Sequence, residues 1–426
     1  MQRLQAADKR LGWLACALLQ PLRWLPRPLE RDAAGLERVL LIKFWGIGSL
    51  QLLTPAVRVL RQRHPRARLA LLTLEENQDF ARGLGVFDEV LTLDVRSGRG
   101  PAGWLRVFDR IRALVSALRR AGFDAVYDFE FFTRFSALVA LSSGAPLRAG
   151  FAAPQVWRGG FHTHCVPFNR YWHVARNFRA LAGGESGAEV APGELAPYAV
   201  TEAQRARVAE LLARRELAPG APFVVLNANA GRLSLERRWP LERFAALARA
   251  LVQEDRTPVL LVGAESEREH VAALRTLAAL DPRWLVDLSG ELAVGELCAL
   301  LERAGALVTN DSGPMHLAAA LGTPTVGLFG PETPVMYGPL GPRTRSLWRP
   351  PVCSPCINVH DNKLANCVRG HPECLTNLEV EEVLEETRLL LWDGLFQPAA
   401  ARRAPLRVEG GRETNSSGSG AAGARA

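Results

Sequence analysis

The chain has 426 residues, of which 48% are hydrophobic; this is enough apolar material for two domain cores and excludes a disordered protein. Its net charge of +8 comes from 49 arginines and three lysines against 44 acidic residues. The sequence contains no zinc finger, basic zipper or aromatic-basic RNA motif, so we expect no nucleic-acid partner. A basic surface that meets phosphate groups, in a nucleotide or an anionic lipid, explains the charge equally well.

Residues 1–37 form a basic and apolar extension. Its apolar stretch, residues 11–19, is too short to span a bilayer, and no small-residue cleavage site of a signal peptide follows it. The stretch is therefore either a helix packed on the protein's own surface or an interfacial helix that rests on anionic lipid. We expect a cytoplasmic protein, either free or peripheral at the inner face of the cytoplasmic membrane.

Short apolar runs then alternate with longer amphipathic segments, which predicts an α/β fold built from parallel, doubly wound sheets. The predicted strands are residues 39–42, 68–73, 88–93, 125–129, 222–227, 258–263, 285–287, 306–309 and 325–329. The pattern restarts after a Gly- and Pro-containing stretch at 183–197, which we interpret as a linker. We therefore predict domains at 38–190 and 198–397, facing each other across a cleft, and a disordered tail at 398–426.

The most informative segment is TNDSGPMH, residues 309–316. A strand ends there and a helix begins, so the bare amides of the first helical turn form an anion site. Ser312 and Gly313 allow close approach of a phosphate, and His316 adds a hydrogen-bond donor. The alternative is that Asp311 and Ser312 are only helix caps.

The run TNDSGPMHLAAALGTPTVGLFGP, residues 309–331, closely resembles the signature of glycosyltransferase family 9, the bacterial heptosyltransferases of lipopolysaccharide synthesis. VLLIKFWGIGSLQLLTPAVRVLRQRHP, residues 39–65, is similar to the family's opening strand, loop and helix. The segment 237–240 with Phe244, and residues 263–265, match as well. The resemblance covers residues 37–392.

This resemblance implies a GT-B fold and an inverting sugar transfer from a donor such as ADP-heptose to a glycan or glycolipid acceptor, without an obligatory metal. It places the donor's diphosphate and sugar at Asp311, Ser312, Gly313 and His316. Arg237 falls where the family has a basic residue against phosphate, and Glu265 where it has a carboxylate for the ribose hydroxyls. We add Asn229, which follows a predicted strand end, to the donor set.

One departure falls at the catalytic position. Heptosyltransferases commonly carry Gly-Asp in the first loop, whereas this chain has Gly48-Ser49, and a serine cannot take the acceptor's proton unaided. We predict Glu130 as the replacement base, with Asp128 as a second carboxylate at the same strand end. Gly48 and Arg134 are the predicted acceptor contacts.

Four cysteines cluster late in the chain, in an insert spanning residues 353–374 of the second domain. A C-x2-C pair has the spacing of a structural zinc site, but the second pair is wider than in a standard zinc ribbon. A structural zinc and a purely local packing role therefore both stay open. The candidate ligands are Cys353, Cys356, Cys367 and Cys374, with His360 and His371 among them.

Two other functions are compatible with the same donor pocket. A GT-B-like epimerase would act on the nucleotide-sugar without an acceptor. A non-catalytic nucleotide-sugar-binding protein would account for the missing aspartate at Ser49.

Overall fold

The computed structural model describes residues 8–21, 35–94, 101–152, 156–184, 188–231, 234–357 and 367–396. The predicted tail at 398–426 lies outside these residues, as does most of the predicted extension. In the described part of the chain, the strands form two six-stranded sheets with all pairings parallel. This agrees with the predicted doubly wound α/β fold.

The first sheet has the order β3-β2-β1-β4-β5-β6. Its strands are β1 Arg38–Ile42, β2 Arg68–Leu74, β3 Glu89–Leu93, β4 Ala125–Asp128, β5 Leu147–Ala152 and β6 His164–Pro167. Its helices, preceded by the N-terminal α1 Trp13–Leu19, are α2 Ile47–Arg63, α3 Gln78–Gly83, α4 Pro101–Ala121, α5 Arg134–Ser142 and α6 Val174–Leu181. The central strand β1 is an apolar run buried on both faces, as expected for a parallel sheet covered by helices.

The second sheet has the order β12-β11-β10-β7-β8-β9. Its strands are β7 Val224–Asn227, β8 Val259–Leu261, β9 Leu285–Asp287, β10 Ala306–Asn310, β11 Thr325–Phe329 and β12 Thr344–Trp348. The helices are α7 Glu202–Arg214, α8 Leu241–Gln253, α9 Arg268–Ala278, α10 Val294–Arg303, α11 Gly313–Leu321, α12 Pro334–Tyr337, α13 Glu373–Thr376 and α14 Val380–Phe396.

Three strands escape the sequence prediction, namely β5, β6 and β12. Each lies at or next to a sheet edge, and their sequences mix polar residues, glycine or proline with the apolar ones. They therefore lack the continuous apolar run that marks the central strands. The helix after β1 begins at Ile47, so Gly48 and Ser49 belong to its first turn.

The predicted linker is packed against the first domain where it is described. The carbonyl of Ala196 accepts a hydrogen bond of 2.7 Å from Gln51 Nε2, and Glu194 forms an ion pair of 3.2 Å with Arg179. Tyr198 then stacks on Phe80, with ring centroids 5.8 Å apart. Residues 194–198 thus follow the surface of the first domain before α7 begins.

A short helix precedes the first sheet. A π-helical turn, Asp8–Gly12, leads into α1, and the buried Cys16 packs with Ala137 and Phe161. None of the helices in the described residues combines the length and the apolar character that a membrane-spanning segment needs.

Candidate functional site

Two helix starts, one from each domain, meet where the site was predicted. Helix α11 begins at Gly313 and α2 at Ile47, and neither N-terminus receives a hydrogen bond from the side chain at its N-cap. A Cβ atom on Gly48 would lie 2.9 Å from His316 Cδ2 and 3.1 Å from Gly313 Cα. The positive ends of two helix dipoles therefore converge on one region between the domains, which favours an anion there.

Ser312 stands at the N-cap position of α11, but its side chain serves another purpose. Its Oγ lies 2.9 Å from Asn227 Nδ2, which donates to it, and 3.0 Å from Thr309 Oγ1. The interpretation of Ser312 as a simple helix cap is therefore wrong. These bonds tie the ends of β7 and β10 together and leave the amides of the first turn of α11 without a side-chain cap.

Asn229 lies beside this network, in the loop after β7. Its Nδ2 donates to Asn227 Oδ1 at 3.2 Å and to the carbonyl of Val262 at 3.1 Å. Its Oδ1 is buried and has no hydrogen-bond partner in the structure. A buried acceptor without a donor costs free energy unless a ligand supplies the bond.

Arg237 joins the same region from a short 3-10 turn before α8. Its Nη1 donates to the carbonyl of Asp311 at 2.9 Å and to Asp311 Oδ2 at 3.3 Å. Its Nε is buried without a partner. The structure thus brings Arg237 to Asp311, as the predicted donor set requires, with the guanidinium turned toward the protein's own oxygens.

Glu265 is the outlying member of the predicted donor set. It begins a 3-10 turn after β8, its side chain is 74% exposed, and its Oε2 forms an ion pair of 2.9 Å with Arg268 Nε. The neighbouring Glu267 points back instead, accepting from the amide of Ala264 at 2.9 Å. A ribose contact by Glu265 stays a prediction.

Glu130 lies at the carboxyl edge of the first sheet, but its carboxylate is enclosed. Its side chain is 2% exposed, and Oε1 accepts from Lys43 Nζ at 2.9 Å and from the amides of Phe44 and Trp45. All three donors bind the same carboxylate oxygen and tie it to the loop after β1. The contacts argue against the predicted role of Glu130 as base and make it the anchor of the loop after β1.

Asp128 is likewise enclosed, with a fully buried side chain. It pairs with Arg158, accepts from Ser136 Oγ at 2.9 Å, and lies 3.1 Å from His162 Nε2. Burial raises the pKa of Asp128, but the charge of Arg158 and the hydrogen bond from His162 outweigh it and hold the pKa below its usual value. These contacts give Asp128 a structural role, and its predicted catalytic role stays a prediction.

Arg134, the predicted acceptor contact, is the first residue of α5, and another residue already caps this helix. Asp8 Oδ2 accepts from the amide of Arg134 at 3.1 Å, and Oδ1 accepts from the amide of Phe135 at 2.7 Å. The start of α5 therefore holds a carboxylate of the chain itself. Only the guanidinium of Arg134 is left for the predicted contact.

Two residues of the site were missed from the sequence. Glu332 and Tyr337 follow β11 and are 3% and 5% exposed. Burial raises the pKa of Tyr337, and the nearby carboxylates of Glu332 and Asp311 raise it further. The signal that could have found Glu332 is its position, three residues beyond the end of a central strand.

Two of the four cysteines contact the loop after β11. The amide of Cys356 donates to the carbonyl of Pro331 at 2.9 Å, and Cys374 packs against Gly330. All four are free thiols, and burial raises the pKa of Cys374 to about 11. In the part of the chain that is described, which leaves out His360, His, Cys, Asp and Glu side chains do not form a metal-binding group. The predicted zinc stays a prediction.

Comparison with known proteins identifies relatives of this chain. The family model of glycosyltransferase family 9 (heptosyltransferase) matches residues 111–365. Lipopolysaccharide heptosyltransferase 2 of Escherichia coli strain K12 is 35% identical over 158 residues, covering 36% of this chain and 43% of the relative. Lipopolysaccharide heptosyltransferase 3 of the same strain is 26% identical over 369 residues, covering 84% of this chain and 99% of the relative.

The fold has counterparts among solved structures. The structure of E. coli ADP-heptose lipopolysaccharide heptosyltransferase II superposes with a TM-score of 0.65 at 23% identity, over 84% of this chain and 99% of that one. This similarity confirms the predicted fold of two Rossmann-like domains in the GT-B arrangement.

Proposed function

Because this chain belongs to glycosyltransferase family 9, we propose that it is an inverting glycosyltransferase that uses a nucleoside-diphosphate sugar. The transferred sugar is a heptose or a related sugar, the donor is of the ADP-heptose kind, and the acceptor is a glycolipid or glycan such as a lipopolysaccharide core. The observation that carries this proposal is the meeting of two helix starts without side-chain caps, at Gly48 and Gly313. Gly48, predicted above as an acceptor contact, is assigned to the donor in this proposal. A diphosphate supplies the charge that such a site favours.

The reaction then needs little movement of the protein. An acceptor hydroxyl attacks the anomeric carbon, the new C–O bond forms as the bond to the diphosphate breaks, and the electron pair leaves with the nucleoside diphosphate. The helix starts stabilise the negative charge that grows on the leaving group. Arg237 exchanges its present bonds to Asp311 for bonds to phosphate, which a guanidinium grips in bidentate fashion.

The acceptor's proton requires a base other than Ser49. Glu130 and Asp128 already accept several hydrogen bonds from buried donors. Glu332 lies three residues beyond the end of β11, is 3% exposed, and accepts from the amide of Thr333 at 3.0 Å through Oε1. We propose Glu332 as the base because it follows the end of a central strand, where the ligands of such sheets bind.

A transfer assay tests the proposal. Purified protein is incubated with labelled ADP-heptose, with and without a lipopolysaccharide-core acceptor, and we expect labelled acceptor to form. Asp311→Ala should weaken ADP binding at least tenfold by calorimetry, which corresponds to about 1.4 kcal/mol, while Asp281→Ala, an exposed acid in the second domain, leaves it unchanged.

The other results of this assay would each overturn the proposed function. Consumption of the donor without acceptor would indicate an epimerase or a hydrolase. Saturable donor binding without turnover would indicate a binding protein.

Full ADP affinity of the Asp311→Ala variant would remove that residue from the site.

A further inference from the structure

The N-terminal helix α1 is apolar on every side but covered by protein on only one. Its sequence, WLACALL, contains no charged residue, and of its described side chains only Cys16 is buried. Cys16 is 0% exposed and packs with Ala137 and Phe161. A helix that is hydrophobic all round is normally buried all round, so the opposite side of α1 lacks a partner within the described residues.

That opposite side forms a continuous stripe. Leu11, Leu14 and Leu18, spaced three and four residues apart, are 63%, 50% and 71% exposed, and such spacing places them on one face of a helix. Trp13 is 50% exposed, and its ring centroid lies 5.9 Å from that of Trp157. We call Leu11, Trp13, Leu14 and Leu18 the N-terminal apolar face.

This face has a fixed orientation because the helix is fastened at its start. The carboxylate of Asp8 accepts from two amides at the start of α5, at 3.1 and 2.7 Å. The turn before α1 also packs so closely that a Cβ on Gly12 would lie 3.0 Å from Arg134 Cβ. The apolar side chains are therefore presented outward by a docked element and not by a loose chain end.

We propose that the N-terminal apolar face inserts into the interfacial region of an anionic lipid bilayer. The charges of the surrounding sequence favour lipid over another protein surface, because residues 1–28 contain a single acid, Asp8, which is used to cap α5. Exposed tryptophan and leucine beside basic residues is the combination found at membrane interfaces. The basic positions in this stretch are Arg3, Lys9, Arg10, Arg23 and Arg27.

The position of the face suits a lipid-linked acceptor. Helix α5 begins after the carboxyl end of β4, at the edge of the first sheet where ligands of such sheets bind. Asp8 joins α1 to that same helix start, so the lipid surface would lie next to the acceptor side of the site. This step rests on the proposed function, whereas membrane binding itself does not.

Vesicle flotation tests the proposal on the full chain. We expect the protein to float with phosphatidylglycerol vesicles and at least tenfold less with pure phosphatidylcholine. The double variant Leu14→Gln, Leu18→Gln should bind the anionic vesicles at least tenfold more weakly. Leu277→Gln, which changes a 43% exposed leucine on α9, is the matched control and should bind as the wild type does.

Three results would overturn the proposal. The first two are that the wild-type protein does not float with the anionic vesicles, and that the double variant floats as well as the wild type. The third is that the double variant differs from the wild type in sedimentation coefficient but not in flotation. The last would show that a second copy of the chain covers the face. Flotation does not depend on sugar transfer, so the loss of vesicle binding and the loss of transferase activity are separate outcomes.

Discussion

Lys43 and Glu130 form an ion pair whose side chains are 1% and 2% exposed. Removing two charges from water is expensive, and the pair persists because further hydrogen bonds satisfy the carboxylate. The amides of Phe44 and Trp45 supply those bonds, and the ammonium group of Lys43 also lies 5.0 Å from the centroid of the Phe131 ring. The ion pair between Lys43 and Glu130 therefore holds the loop after β1, which leads to the site.

Glu130→Gln tests this structural role. Glutamine keeps an acceptor for the two amides but leaves Lys43 buried without its counter-charge, so we expect a loss of about 2–4 kcal/mol in the free energy of unfolding. Urea denaturation measures it. Glu332→Gln is the comparison, and it should lower kcat with ADP affinity nearly unchanged. If the Glu130→Gln variant unfolds like the wild type and only its kcat falls, Glu130 is the base and Glu332 is not.

At the scale of elements, the contact between α2 and α11 is made by glycines. A Cβ on Gly313 would lie 2.8 Å from Ile47 Cγ1, and one on Gly48 would meet His316 and Gly313 itself. The two distances below 3.0 Å are to the side chains of Ile47 and His316, which would have to move, and the main chain of Gly313 would lie only 3.1 Å from the Cβ on Gly48. The two helix starts can approach each other only because both positions lack a side chain.

Gly48→Ala should therefore push the two helix starts apart. We expect at least a tenfold loss in kcat/KM and a weaker affinity for ADP, since the dipoles no longer converge on one anion. Gly35→Ala is the control, because a Cβ there meets nothing within 4 Å. Unchanged kinetics of the Gly48→Ala variant would contradict the geometry proposed for the donor.

At the scale of the whole molecule, a histidine joins the two domains. His173 precedes α6 in the first domain; its Nδ1 accepts from the amide of Ala175 at 3.2 Å, and its Nε2 donates to the carbonyl of Gly338 at 3.0 Å in the second domain. Both ring nitrogens are thus used in the neutral form. Burial lowers the pKa of His173 to about 4, more than the bond to Gly338 raises it.

This depressed pKa predicts a loss of stability in acid. An unfolded histidine titrates near 6.5, so between about pH 6.5 and pH 4 the unfolded state binds the extra proton, and stability falls as the pH falls, by up to about 3 kcal/mol. His173→Asn retains an acceptor for Ala175 but does not titrate. Its free energy of unfolding, followed by urea denaturation from pH 7.5 to pH 4.5, should decline less steeply than that of the wild type. Parallel declines would exclude His173 as a contributor.

The central strands could be predicted because they are short apolar runs between amphipathic helices, as in β1, β10 and β11. Three strands at or next to the sheet edges could not, since a strand such as β12 leaves part of its surface exposed and carries polar residues there. The helix of the opening motif includes Gly48 in its first turn, although a glycine pair at 46 and 48 is typical of a loop. Only Gly46, with φ of 79°, requires the glycine-specific backbone; Gly48 is helical.

The site was predicted in part for a similar reason. Gly48, Asn229 and the turn at residue 311 follow strand ends, and the topology brings strand ends together. Arg237 was predicted from the family resemblance alone. The partners of Glu130 and Arg134 were not predictable, because Lys43 and Asp8 lie 87 and 126 residues away in the chain. Whether a carboxylate is free to take a proton depends on such distant partners and not on its local motif.

The glycine contact between the domains also limits what the centre of the site can distinguish. Main-chain amides recognise negative charge, whatever group is esterified to the phosphate, and at Gly48 and Gly313 the protein has no side chain to offer. Discrimination between one sugar and another must therefore arise at the periphery, where hydroxyl groups meet side chains. Substitutions among the surrounding side chains could therefore change the sugar that is accepted while Gly48 and Gly313 stay unchanged.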